Sequence, residues 1–269
     1  MQKLFRSKSE DDDQTNVRYR KYIPHVCVVF VCVALIVVGL IIIFAGKAED
    51  DSAGDEYAHL REIFANSPGS QGQHAGDEID DPGNQDAHDE DADSLGLLPI
   101  EELIKMNEDF IGWISIKGHI EYPVVRGLDN DKYIYTTFSG ESNKAGAIFM
   151  DYRNEGGFDD HITILFGHRM RNGTMFAPLV NYINRSFLQE NQIINITTRD
   201  GEILTYKIFA AKKTDAWDAF YEIGFSGNTP PASLFPDAPE NASRFLLLST
   251  CTASDDRNER ILVFAYLDD

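Results

Sequence analysis

FLLLSTCTASDDRNERILVFAYL, residues 245–267, holds two apolar runs, FLLLST at 245–250 and ILVFAYL at 261–267, around a polar insert that begins at Cys251. Each run is short and rich in β-branched or aromatic residues, the pattern of a strand rather than a helix. Working outward, the same pattern recurs in WISI (113–116), YPVV (122–125), AIFM (147–150), ITILF (162–166), QIINIT (192–197) and ILTYKIFAAK (203–212). Clusters of Gly, Asn, Asp and Pro separate the eight runs, which suits a closed barrel or sandwich and not a doubly wound α/β fold. An all-β-dominated fold built on an eight-stranded β-barrel is expected. Two helical interruptions are expected as well. Leu98–Phe110 carries apolar residues at near-helical spacing, with Pro99 suited to a first turn, and Met175–Ile183 carries Met175, Phe176, Leu179, Val180 and Ile183.

Three polar residues stand at the ends of these runs. Cys251 closes FLLLST, His168 follows ITILF and one glycine, and Arg260 opens ILVFAYL. Strand ends beside loops are where a rigid scaffold presents reactive groups. Taken singly, Cys251 reads as a buried core thiol, His168 as a loop histidine and Arg260 as a solvated charge. Together they suit nucleophilic catalysis: a thiol needs a base or cation to become a thiolate near neutral pH, a histidine can supply and take up protons, and an arginine donates hydrogen bonds without losing its own proton. Arg257, in the polar insert, competes with Arg260 for the last role, and Arg260 is preferred because it abuts the apolar strand.

The rest of the chain tells where this domain works. Residues 23–45, IPHVCVVFVCVALIVVGLIIIFA, contain no Lys, Arg, Asp or Glu, and as a helix of roughly 22 residues would span about 33 Å, enough for a bilayer core. A single membrane anchor is expected in preference to a cleaved signal peptide, whose apolar region is shorter. Arg18, Arg20 and Lys21 precede the span and Glu49, Asp50 and Asp51 follow it, so residues 1–22 are expected in the cytoplasm and the rest outside the cell membrane. Cys27 and Cys32 fall within the span, leaving Cys251 as the only thiol of the exported part. From Ala48 to Ser94 the composition turns to Asp, Glu, Gly, Ser, Gln and His, and a disordered acidic stalk is expected over 46–96. Its carboxylates, including Asp77, Asp80 and Asp89, lack the spacing of a calcium-binding EF-hand loop. The formal net charge of −20 belongs largely to this stretch and argues against nucleic acid as a partner. Four Asn-x-Ser/Thr sequons, at Asn172, Asn184, Asn195 and Asn241, are chance matches if the source is bacterial.

LLSTC at 247–251, with Arg260 starting the next strand, resembles the Leu-x-Thr-Cys strand and following arginine of sortases. GAIFMDYRN (146–154), ITILFGHRM (162–170), NEDFIGWISI (107–116) and YPVV (122–125) resemble class B sortases in particular. The resemblance covers about Leu98 to Leu267, so a sortase-type catalytic domain over 97–269 is expected. It implies a cysteine transpeptidase, without cofactor or metal, in which Cys251 attacks a Thr-Gly or similar bond in a C-terminal sorting motif of a secreted protein. His168 is the acid/base, Arg260 stabilises the oxyanion, and the thioacyl product passes to an amine of a Gram-positive cell wall. A lysine amine of a pilin is the close variant; a cysteine hydrolase and a silent wall-binding module are the other readings. By position, Ser249 matches a serine of the class B substrate groove and Phe166 a tyrosine of some relatives. Leu247 departs from the usual Thr-Leu-x-Thr-Cys, and 214–243 is richer in Pro and Gly than the long helix typical there.

Overall fold

The computed structural model describes residues 3–65, 92–223, 235, 237–252, 256 and 258–268, with side chains from Val31 in the first helix and Pro99 in the second. In chain order the elements are α1 (Lys3–Ala65), α2 (Ala92–Met106), β1 (Phe110–Ile116), β2 (Ile120–Val125), β3 (Ile148–Met150) and β4 (Ile162–Phe166). There follow α3 (Arg185–Glu190), β5 (Ile193–Thr198), β6 (Ile203–Asp215), α4 (Phe220–Ile223), β7 (Phe245–Cys251) and β8 (Glu259–Leu267). The eight strands close into a barrel in the order β1-β2-β3-β4-β7-β8-β6-β5. All eight apolar runs are strands, and β2/β3 and β4/β7 are the parallel pairs.

Alternation along the strands sorts side chains to two faces. Leu246 and Leu248 of β7, Leu165 of β4 and Ile261, Val263 and Ala265 of β8 join the main core with Trp113, Ile114 and Tyr206. Phe245 and Leu247, Ile162 and Ile164, and Leu262 and Phe264 face the other way, into a second cluster completed by Tyr221 and Phe235. Both faces of this part of the wall are therefore dry, which is why 245–248 is a continuous apolar run rather than an alternating one.

Two expected helices differ in their bounds. α2 starts at Ala92 and takes Pro99 inside it, while Phe110 opens β1. The segment expected to be helical from Met175 is a 3-10 helix over Ala177–Ile183, and it starts later than expected because Met175 adopts φ 58°, which no right-handed helix can contain.

The acidic stalk needs a larger correction. Two compact units divide the chain, one through Asp51 and one from Ser52. Residues 48–65, expected to be disordered, are helical, and those from Ser52 belong to the barrel unit. Ala53, Tyr57 and Leu60 are buried in the main core. Phe64 stacks on Trp113 with centroids 4.3 Å apart, and the Tyr57 hydroxyl donates to the Gly146 carbonyl at 2.6 Å. Positions 53, 57, 60 and 64 form one helical stripe, so the segment buries apolar surface despite its acidic average. Residues 46 and 47 continue the same helix, 92–96 begin α2, and the expected stalk residues 66–91 lie outside the described residues. In the first unit, the part of α1 from Val31 is long and apolar enough to cross a membrane, and Val31, Leu35, Ile42 and Phe44 are exposed. This helix suggests membrane anchoring.

Candidate active site

Strand pairing brings the three polar residues to one end of the barrel wall. β7 and β8 run antiparallel with Cys251 directly opposite Arg260. By alternation Cys251 follows the parity of Phe245, Leu247 and Ser249, and Arg260 that of Leu262 and Phe264, so both belong to the second cluster's face. On the other side, β4 runs parallel to β7 with Phe166 beside Ser249. Beyond β4 the pairing continues: the Gly167 amide donates to the Ser249 carbonyl at 3.2 Å and the Thr250 hydroxyl to the Gly167 carbonyl at 2.8 Å. His168 therefore arrives level with Cys251. A Cβ at Gly167 would lie 2.4 Å from Ile148 and 2.8 Å from Phe176, so only glycine allows the backbone to pass there.

His168 is held from two directions. Its Nε2 lies 2.8 Å from the Ile134 carbonyl. A carbonyl can only accept, so Nε2 carries the proton and Nδ1 is the basic nitrogen of the neutral ring. Its own carbonyl accepts from the Phe176 amide at 2.9 Å. The preceding residue, Met175, is the left-handed one; it is buried, and its amide donates to the Tyr122 hydroxyl at 2.9 Å. Strain of this kind persists only where the surroundings over-determine it.

Gly146 sits behind the Ile134 carbonyl at φ 56°, and a Cβ there would fall 2.4 Å from that oxygen. Gly146→Ala is expected to destabilise the fold by about 1–3 kcal/mol. It should also lower kcat about tenfold, through the misplaced carbonyl and the His168 ring it orients. Thermal unfolding and peptide turnover of the same preparation check both.

A tyrosine not singled out from the sequence completes the wall. Tyr221 of α4 shares a 2.8 Å hydrogen bond with Ser249 and stacks on Phe166 at 6.0 Å between centroids. Burial raises its phenol above the ordinary value; Ser249 and the charge of Arg260 pull it down, while Asp218 and Cys251 push it up. Tyr221 is thus in electrostatic reach of both Cys251 and Arg260, and as a neutral phenol can donate as well as accept. Ser249 is buried and Cys251 and Phe166 half-buried. The signal for Tyr221 was present as aromatic residues, Trp217, Phe220 and Tyr221, within the Pro- and Gly-rich stretch 214–243.

Arg260 donates from Nη1 to the Glu259 carbonyl at 3.1 Å. Arg257, the competing cation, lies outside the described residues. A cavity of about 460 Å³ beside Lys207, Phe209, Asp237 and Tyr266 is lined by none of the three polar residues. Among the described residues no His, Cys, Asp and Glu side chains cluster as a metal site. A half-buried thiol, an oriented imidazole and a guanidinium at the same end of adjacent strands can perform acyl transfer through a covalent thioester.

A Sortase domain family model matches residues 118–268. Sortase B of Staphylococcus aureus is 34% identical over 179 residues, covering 61% of this chain and 72% of the relative. Among solved structures, a Staphylococcus aureus sortase B–substrate complex superposes with a TM-score of 0.64 at 28% identity, covering 82% of this chain and 99% of the other. A Streptococcus pyogenes class B sortase involved in pilus biogenesis superposes with a TM-score of 0.56 at 31% identity, covering 62% and 97%.

Proposed function

Because this chain belongs to the sortase family of cysteine transpeptidases, and within it to class B, we propose that it cleaves a C-terminal sorting motif of secreted proteins and transfers the product to an amine of the cell wall. The observation that carries this reading is the strand register that sets Arg260 opposite Cys251, together with the hydrogen bonds that continue the β4/β7 pairing through Gly167, the residue before His168.

In this mechanism the Cys251 thiolate attacks the carbonyl carbon of the scissile bond, and the carbonyl electrons move to oxygen. Arg260 donates to that oxyanion, which needs a fixed donor more than a base. Collapse breaks the C–N bond, protonated His168 gives its proton to the leaving amine, and a thioester on Cys251 remains. The incoming amine loses a proton to His168 as it attacks, and the Cys251 thiolate leaves. Phe166 lines the groove in which the motif lies, with the buried, hydrogen-bonded Ser249 and Tyr221 packed beside it. Residues 23–45 anchor the enzyme as a single-pass membrane protein, with 1–22 in the cytoplasm and the catalytic domain outside.

The test uses the full chain in detergent with fluorogenic peptides that carry a Thr-Gly or Thr-Xaa bond behind varied residues, and triglycine as the amine. Ligated product whose yield rises with triglycine supports the reading. Cleaved peptide alone at saturating amine identifies a hydrolase and contradicts it. The pilus role of the Streptococcus pyogenes relative favours a second acceptor, a lysine side chain, and Nα-acetyl-lysine competing better than triglycine would replace the wall amine by a pilin.

A further inference from the structure

Arg153 ties two separate elements together. Its Nε and Nη2 form a fork with the two carboxylate oxygens of Asp151 at 2.9 and 2.8 Å. Nη2 also donates to the Tyr221 carbonyl at 2.9 Å, and Nη1 reaches both oxygens of Glu222 at 3.0 and 3.1 Å. Asp151 directly follows β3; its side chain is fully buried, and its amide donates to the Ile164 carbonyl of β4 at 2.9 Å. The carboxylate end of the fork is therefore fixed to the barrel wall. The other end grips α4, a helix of four residues that is too short to hold its own shape.

α4 is also held where it begins. Asp218 accepts from Lys212 Nζ at 2.7 Å, from the Thr214 hydroxyl and from the Phe220 amide at 3.0 Å, and Lys212 and Thr214 belong to β6. Burial works against the Asp218 charge, yet these donors outweigh it and keep its carboxyl below the ordinary range. Between the two attachments stands Tyr221, whose hydroxyl meets Ser249 and whose ring lies on Phe166.

We infer that Arg153 is a positioning residue of the transpeptidation site, acting through Tyr221 to hold the groove wall over Cys251 and Arg260. The inference rests on the proposed function, because the groove matters only if a peptide lies in it. The Glu222 end of the fork is exposed and screened, so the specific contribution of Arg153 is geometric: a planar guanidinium joins a buried carboxylate and a helix carbonyl at once, which a lysine ammonium cannot do. Lysine can still neutralise Asp151, and Arg153→Lys therefore separates the positioning of α4 from the loss of a buried ion pair.

The experiment is a double-mutant cycle in the full chain in detergent, with the Thr-Xaa peptide panel and triglycine. Arg153→Lys is expected to lower kcat/KM about tenfold. In a Tyr221→Ala background the same change should cost less than about twofold, since the group it positions is gone. Wild-type turnover with losses equal in both backgrounds, or a lowered melting temperature with turnover unchanged, overturns the inference alone. Absence of Cys251-dependent turnover in the wild type overturns the proposed function and the inference with it. If Arg153→Lys does not fold, Asp151→Asn takes its place, because it keeps the guanidinium beside the Tyr221 carbonyl but replaces one acceptor of the fork that fixes Arg153 to the barrel wall. For that variant a loss confined to the Tyr221-containing background supports the inference, and no loss or an equal loss in both sinks it.

Discussion

Cys251→Ala is expected to lower peptide transfer by on the order of 10⁴-fold or more, the largest effect of any single substitution in this chain. Among the described residues no other side chain at this site can take over. Among the described residues the free cysteines are Cys32 and Cys251, and Cys32 lies in the apolar stretch of α1. Thr250 is buried, and its hydroxyl is committed to the Gly167 carbonyl. Stability should hardly change, because Cys251 is only half-buried at the end of β7 and its removal leaves the apolar contacts of both cores intact. Peptide binding followed by fluorescence should survive while turnover disappears. Turnover within tenfold of wild type would remove the thiol from the mechanism.

His168→Gln is expected to cost about 10²–10⁴-fold in kcat, the range of a general acid–base contribution. Glutamine can still donate to the Ile134 carbonyl, so the loop that His168 anchors should keep its shape. What it cannot do is take a proton from the thiol or the incoming amine. A second readout separates chemistry from fold: alkylation of Cys251 by iodoacetamide should slow in His168→Gln with no matching fall in melting temperature. An unchanged alkylation rate together with unchanged kcat would leave His168 a structural residue.

Much of the barrel was legible because a strand buried on both faces is written as an unbroken apolar run, as in 245–248, and its bounds are set by local chemistry. The placement of Cys251 and Arg260 at neighbouring strand ends was legible for a related reason. A hairpin that leaves from a thiol and returns at an arginine can pair them across the strands, as the observed register does. The packing of 52–65 was obscured by composition. Ala53, Tyr57, Leu60 and Phe64 mark one face of a helix, but Asp55, Glu56 and Glu62 on the other faces pull the average to that of a solvated segment. Tyr221 was hidden for a different reason: α4 has almost no helical signal of its own. It is placed by Arg153, more than sixty residues earlier in sequence, and by Lys212 on β6, and no local pattern records such contacts.

Transfer through a thioester on Cys251 is tested most directly by intact mass spectrometry of the full chain mixed with a cleavable Thr-Xaa peptide and no added amine. The mass is expected to rise by that of the acyl fragment, to map by proteolysis to the peptide containing Cys251, and to fall back on addition of triglycine with one equivalent of ligated product. Rapid turnover without any adduct, or an adduct on another residue, would contradict the account.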